Sequence, residues 1–314
     1  MNMKKILLIV VAAVMATSVF AQEMVKKVRV YNDNALVYER NYADVDSIVF
    51  VDVSALPEGA LIGEFSVSAS KKVHFSKGNL QATTTDLGVN WTWGFATNQW
   101  DYIGDAAANN AIIGNKAVSS NGTVDLFGWS TNATYYGINN GTDNNTYFGY
   151  FVDWGTAIGE GWYTLSTDEW VYLFCGRTDA AHLFSLGTVN GVSGTILLPD
   201  NWEGDKFTDT DNGLEAIGFY YENGSGTNFS FHTYTAEQWD AMENAGAVFL
   251  PAAGNRDGTE VYSVGFAGFY WSSTLFFVST PYAYNALYIS FSSYDLYSQL
   301  YGNRYAGLSV RLVR

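Results

Sequence analysis

The chain has 314 residues, a formal net charge of −15 at pH 7 and one cysteine. This excess of acid disfavours nucleic acid as a partner, because binding a phosphate backbone requires clustered cations. One cysteine excludes an internal disulfide, and we expect Cys175 to be an inert, buried or half-buried side chain. Aromatic residues make up 17% of the chain and glycines number 31 against four prolines, which is typical of a loop-rich α+β or β protein.

Residues 1–21 predict a secretory signal peptide. Lys4 and Lys5 precede an apolar run over residues 6–16, and residues 19–21 form an A-x-A-like cleavage site. The apolar run is too short for a membrane span, which takes about 20 residues. We therefore expect a secreted or cell-surface protein that has no transmembrane segment and is not a lipoprotein. Loss of two lysines brings the mature net charge to −17.

Residues 22–56 predict a small β-rich segment and a linker. The runs VRVY and ALVYER flank the turn NDN and indicate a hairpin, and VDSIVFVDV indicates a further strand. A lone hairpin cannot bury a core, so this segment must pack against another element or tether the rest. The main domain is predicted over residues 57–314, after a junction that contains Pro57 and Gly59.

Two helices in the main domain are predicted from capping boxes. Ser166-Thr167-Asp168-Glu169 opens the first helix and Thr235-Ala236-Glu237-Gln238 opens the second, which Gly246 ends. The side chains expected to face the core from these helices are Trp170, Leu173, Phe174, Trp239 and Met242. Because Asp168 and Glu169 belong to a cap, we do not interpret them as a general acid and base.

Four strand-like runs follow the second helix and reach the C-terminus. In the run YNALYISF, period-2 alternation predicts one packed face and one face that carries Tyr288, Ser290 and Ser292 into solvent. The predicted core residues of this region are Leu287, Ile289, Phe291, Leu308 and Val310.

An ordered series of motifs resembles a known family. KKVHFSKGNLQ, WDYIG, DLFGW, TLSTDEWVYLF, ILLPD, GAVFLPAAGNRDG, GFYWSST and NRYAGLSVRLVR resemble the major paralogous domain proteins exported by anaerobic Gram-negative bacteria. That family looks related to the formylglycine-generating-enzyme branch of the C-type lectin fold. The resemblance covers residues 63–314 and implies an α+β domain with two helices, small antiparallel sheets, paired terminal strands and binding loops on one side. The enzyme branch oxidises cysteine at a copper site built from a pair of cysteines, which a chain with one cysteine cannot form. We therefore expect no enzyme activity of that kind.

The C-terminal region also resembles the target proteins of diversity-generating retroelements. In those systems template adenines are misread, so that asparagine codons become Tyr, Ser, Asp and others but never Lys, Glu, Gln, Met or Trp. Residues 274–306 contain no Lys, Glu, Met or Trp and one Gln. An ordinary β-rich surface segment with the same composition is the alternative.

Both alternatives predict a neutral recognition surface near the C-terminus. Tyrosine contributes a large contact area with few rotamers to freeze, and Ser, Gly and Asn supply adaptable hydrogen bonds. The partner would be a protein or a glycan on another cell, a phage or a host. Arg304 is expected to form a scaffold pair with an acid. The candidate ligand-binding residues are Phe277, Ser279, Tyr282, Tyr284, Tyr288, Ser290, Tyr294, Asp295, Tyr297, Gln299, Tyr301, Asn303 and Tyr305.

No catalytic or cofactor motif is evident. The three histidines lack zinc-site spacing, and a structural calcium ion is the one metal that the sequence leaves open. Its candidate ligands are Asp209, Asp211 and Asn212, with similar clusters at residues 143–145 and 255–258. Two other functions stay open: a structural or fimbria-associated surface subunit in which residues 25–53 donate or accept a strand, and an enzyme of unknown type on the same fold.

Overall fold

The computed structural model divides the chain into two compact units, residues 1–53 and residues 54–314. The residues described are 27–32, 35–41, 43, 56–104, 113–114, 117–118, 121–139, 141–143, 147–159, 161–208, 219–220, 228–276 and 285–314. The predicted signal peptide lies outside these ranges. No helix within them is long and apolar enough to cross a membrane.

The secondary structure is a mixture of short helices and small sheets, which makes the second unit an α+β domain. The helices are α1 Gly155–Ile158, α2 Thr167–Val171 and α3 Ala236–Asn244. The strands are β1 Lys27–Asn32, β2 Ala35–Asn41, β3 Phe65–Ser66, β4 Lys72–Val73, β5 Leu80–Thr84, β6 Thr92–Phe95, β7 Ile113–Gly114, β8 Ala117–Val118, β9 Gly122–Val124, β10 Tyr163–Thr164, β11 Phe184–Val189, β12 Val192–Leu197, β13 Phe219–Tyr220, β14 Thr233–Tyr234, β15 Val248–Pro251, β16 Asn255–Asp257, β17 Glu260–Tyr262, β18 Ala267–Phe276, β19 Asn285–Ser292, β20 Asp295–Asn303 and β21 Leu312–Val313.

The first unit contains the predicted hairpin. Strands β1 and β2 pair antiparallel, with a register shift after Val30. The Glu39 carboxylate accepts hydrogen bonds from Lys27 and Arg29, and these bonds lower its pKa. The hairpin prediction is confirmed, whereas the further strand predicted within residues 45–53 lies outside the described residues.

The two ends of the second unit meet in the core. Strand β10 pairs antiparallel with β21, and Phe75 forms an antiparallel bridge with Val313. The main chains of His74 and Arg314 exchange two hydrogen bonds of 2.9 Å. This pairing fixes the C-terminal strand against residues near the start of the domain.

Both predicted helix starts carry complete capping boxes. The Ser166 hydroxyl accepts from the Glu169 main-chain N–H, and the Glu169 carboxylate accepts from the Ser166 N–H. Thr235 and Gln238 form the same reciprocal pair at the start of α3. Helix α2 is shorter than expected because its α-helical bonding changes to one π-helical turn over Tyr172–Gly176. The single turn of α1 was not predicted.

A four-stranded sheet in the order β13-β20-β19-β18 carries the C-terminal region. Its pairs are antiparallel, and register shifts interrupt both the β18–β19 and the β19–β20 ladders. One face contributes Tyr270, Ile289 and Phe291 to a core cluster built around α2. Trp271 and Ala286 belong to a second cluster, so the sheet is covered on both faces.

Candidate ligand-binding surface

The thirteen candidate ligand-binding residues fall into two groups, four outside the described residues and nine within them. Phe277, Ser279, Tyr282 and Tyr284 lie outside the described residues. The predicted core residues Leu287, Ile289, Phe291, Leu308 and Val310 are all buried, which confirms that part of the prediction. The other nine candidates lie on β19, on β20 and in the turns beside β20, with very different exposure.

The prediction that one face of β19 carries its polar side chains into solvent is wrong for Ser290, which is buried, and Tyr288 is only partly exposed. Ser290 is only 7% exposed and pairs with Phe269 on one side and Tyr297 on the other. The ring of Tyr288 packs edge-on against Trp271 at a centroid distance of 5.8 Å, and burial raises the pKa of its hydroxyl. A second core cluster covers much of this face, so Ser290 is excluded from the surface and the Tyr288 ring is largely packed against the core.

A register shift in β20 separates two of the predicted tyrosines. Tyr297 is paired with Ser290, and Tyr301 is paired with Leu287. Paired residues of an antiparallel ladder project to the same face, and residues three apart on a strand project to opposite faces. Tyr297 and Tyr301 therefore lie on opposite faces of the sheet and cannot form one contact surface.

The end of β20 presents a group of aromatic and amide side chains, here called the Tyr301 patch and consisting of Phe276, Tyr301, Asn303 and Tyr305. Tyr301 is 49% exposed, and its ring is parallel to that of Phe276 at a centroid distance of 4.2 Å. The exposed Asn303 amide donates to the Tyr305 hydroxyl at 2.9 Å. The patch thus combines flat aromatic rings with a neutral amide and a hydroxyl.

A second aromatic group lies at the opposite end of β20. Tyr294 and Phe266 are exposed and are called the Tyr294 patch, and Tyr262 on β17 is exposed as well. The rings of Phe266 and Tyr294 meet at 6.3 Å, and Asp295 accepts a hydrogen bond from the Ser292 hydroxyl at 2.7 Å. Seven residues of extended strand at about 3.3 Å each separate Tyr294 from Tyr301, which places the two patches roughly 20 Å apart.

Arg304 anchors the Tyr301 patch to the domain. It is 2% exposed, and its Nη1 donates to the carbonyls of Tyr147 and Gly149 at 3.1 and 3.2 Å. Its guanidinium lies 4.7 Å from the ring centroid of Trp129, and the main-chain N–H of Trp129 donates to the Arg304 carbonyl at 2.7 Å. Burial and these contacts fit the predicted structural role, but the contacts go to carbonyls and an indole ring, and the acid partner that we expected is not among them.

The loop held by Arg304 carries two aromatic residues that the sequence analysis missed. Phe148 is 72% exposed and Tyr150 is 88% exposed. Gly149 between them has φ +136°, a conformation that favours glycine. The run YFGYF over residues 147–151, two aromatic pairs around a glycine, was the available signal. Its position next to β20 depends on contacts more than 150 residues apart in sequence.

Buried hydrogen bonds hold Tyr147, at the start of the same loop. The Tyr147 hydroxyl donates to the Asn139 carbonyl at 2.6 Å, and Arg256 Nη2 donates to that same carbonyl at 2.8 Å. Burial raises the pKa of Tyr147 to about 12, although the nearby Arg256 opposes this shift. In this loop the Tyr147 side chain is buried, whereas the side chains of Phe148 and Tyr150 are exposed.

Metal and thiol chemistry gain no geometric support in the part of the chain that the structure describes. Within it, no three His, Cys, Asp or Glu side chains form a group that could hold a metal ion. Asn255–Asp257 is strand β16, with Arg256 fully buried, and residues 209–213 lie outside the described ranges. Cys175 is half-buried, and desolvation raises its pKa, which suits an unreactive thiol.

Comparisons with protein-family models, curated proteins and solved structures find no match to this chain.

Proposed function

We propose that this chain is an exported, non-catalytic ligand-binding protein that captures a macromolecule with the Tyr301 patch. The proposal includes a C-type-lectin-like domain of the formylglycine-generating-enzyme branch and membership of the major paralogous domain family. Paired terminal strands and two capped helices support this fold. The motif resemblance supports the family, and one cysteine is too few for the copper oxidase of the enzyme branch.

One observation carries the binding role. Tyr301 is half exposed and stacked on Phe276, while its neighbour Arg304 is buried and bonded to another loop. Exposed aromatic rings on a fixed frame contribute contact area without a large entropic cost on binding. The surrounding domain is acidic, with 25 Asp and Glu against ten Lys and Arg over residues 54–314, whereas the patch is uncharged. Docking there removes no charge from water.

The experiment compares two matched double variants of the mature chain. Fluorescently labelled protein is applied to a printed array of neutral and acidic oligosaccharides and to a panel of intact bacterial cells. We expect the combined Tyr301→Ala and Tyr305→Ala variant to lose binding at least tenfold, and the Tyr262→Ala and Tyr294→Ala variant to bind like wild type. Equal binding by wild type and the Tyr301 double variant would refute the proposed site.

Diversification by a retroelement is a separate part of the proposal. Its test is genomic: a near-copy of the 3′ end of this gene, beside a reverse transcriptase and differing only at adenines, would support it. Absence of such a copy from the complete genome would remove this part and leave the binding surface untouched.

A further inference from the structure

Residues 307–314, here called the strap, lie between segments that are far from them in the sequence. Residues 307–313 are all buried, and Arg314 is exposed. On one edge, three strap carbonyls accept hydrogen bonds of 2.9 Å from main-chain N–H groups of earlier segments: Leu308 from Phe127, Val310 from Leu80 and Leu312 from Ser76. On the other edge, the Ser309 main chain donates one bond of 3.0 Å to β18 and accepts another, and β21 pairs with β10. The strap is therefore bonded along both of its edges.

The side chains of the strap connect the three core clusters of the second unit. Val313 belongs to the cluster built around α2. Three strap residues belong to the second cluster: Leu308, Val310 and Leu312. The buried Arg311 guanidinium donates to the Gln99 amide oxygen at 2.9 Å, and the same oxygen accepts from the main-chain N–H of Phe249, which belongs to a third cluster beside α3. Each cluster thus either contains a strap residue or is bonded to one through Gln99.

We propose that the strap is the closing element of the second unit: it docks last during folding, and the three clusters reach stable packing only when it is in place. Its bonds to Phe127, Leu80 and Ser76 join positions more than 180 residues apart in the sequence. The entropic cost of closing a loop rises with its length, so contacts between such distant positions form late. A strand that is bonded on both edges also requires both neighbouring segments before it can dock. This inference is independent of the proposed ligand-binding role.

A closing strap has a consequence for export. The strap follows the rest of the second unit in the sequence, so a chain threaded from its N-terminus presents residues 54–306 first. Those residues lack a closed core until the strap arrives, which suits the secretion that residues 1–21 predict. Once docked, the strap can open only by exposing apolar side chains of two clusters, so its opening should be as rare as global unfolding.

The order of docking is tested by stopped-flow folding and unfolding of the mature chain in urea, followed by tryptophan fluorescence. The strap variants are Val310→Ala and the milder Leu312→Val. The matched control is Val189→Ala, because Val189 is as fully buried as Val310 but pairs with Val192 across the short β11–β12 turn. We expect both strap variants to fold within about twofold of the wild-type rate and to unfold at least fivefold faster, and the control to fold at least threefold more slowly. Slowing of folding by threefold or more in either strap variant, or unfolding at the wild-type rate, would overturn late docking.

Native-state hydrogen exchange of the wild type and of Leu312→Val tests whether one strap serves all three clusters. The reporters are the hydrogen-bonded main-chain amides of one residue from each cluster: Ala252, Leu80 and Phe249. We expect Leu312→Val to accelerate exchange at the three amides by one common factor, equal to the increase in the equilibrium constant of unfolding. Acceleration at Leu80 alone, whose N–H bonds to the strap, would show that the strap stabilises only its own cluster and would overturn the proposal.

Discussion

Replacing Arg304 with lysine tests the anchor of the candidate surface through stability. Arginine donates from one nitrogen to two carbonyls and stacks on Trp129, whereas lysine keeps the charge but lacks the planar group. A hydrogen bond that involves a charged group contributes about 1.5–3 kcal/mol, and the buried carbonyls lose at least one such partner. We expect a loss of about 2–4 kcal/mol in the free energy of unfolding. The corresponding fall in Tm is roughly 5–15 °C.

Urea unfolding followed by tryptophan fluorescence measures this loss in the second unit alone, because all ten tryptophans lie within residues 54–314. The matched control is Arg314→Lys, at an exposed terminal position where a change within about 0.5 kcal/mol is expected. A loss below about 1 kcal/mol for Arg304→Lys would show that its contacts do not anchor the loop.

Four further predictions follow from the described contacts. Tyr288→Ala should destabilise the domain by about 3 kcal/mol and Tyr301→Ala by no more than about 1.5 kcal/mol, measured by urea unfolding, because Tyr288 packs in the core and Tyr301 is half exposed; equal losses would contradict the burial of Tyr288. The pKa of Tyr147 is raised to about 12, so the native state holds a proton that the unfolded chain releases near pH 10. Stability should therefore fall between about pH 10 and pH 12, and less steeply in Tyr147→Phe; identical slopes would refute this assignment. Ser166→Ala should cost about 1 kcal/mol by removing the cap of α2, and an unchanged unfolding midpoint would show that the cap contributes nothing. Cys175, whose pKa is raised by burial, should react with a thiol reagent at least tenfold faster in urea than in the native state, and equal rates would show an accessible thiolate.

The sequence predicted the features that depend on local pattern. The capping boxes at Ser166 and Thr235 are read from four consecutive residues, and both form as expected. The hairpin of β1 and β2 follows from alternation around a short turn. Alternation also identified the buried positions Ile289 and Phe291. Successive side chains of a strand point to opposite faces, so apolar residues at every second position indicate that one face of the strand is packed.

The features that sequence reasoning missed depend on distant contacts. Tyr288 and Ser290 look like a solvent face, since nothing in their own strand shows that a second cluster covers it. The register shift in β20 places Tyr297 and Tyr301 on opposite faces of the sheet. Such a shift arises from one extra residue in one strand of the pair, and the amino-acid composition of the strand does not reveal it. The position of Tyr150 depends on a loop held by Arg304, which is remote in sequence.

Hydroxyl-radical footprinting of the mature chain, free and bound to a cell type from the binding panel, tests the binding surface most directly. The account predicts that oxidation of Tyr301 falls at least threefold on binding, while oxidation of the exposed Tyr262 is unchanged. Protection of Tyr262, or of the hairpin over residues 27–41, with Tyr301 still fully reactive, would contradict it.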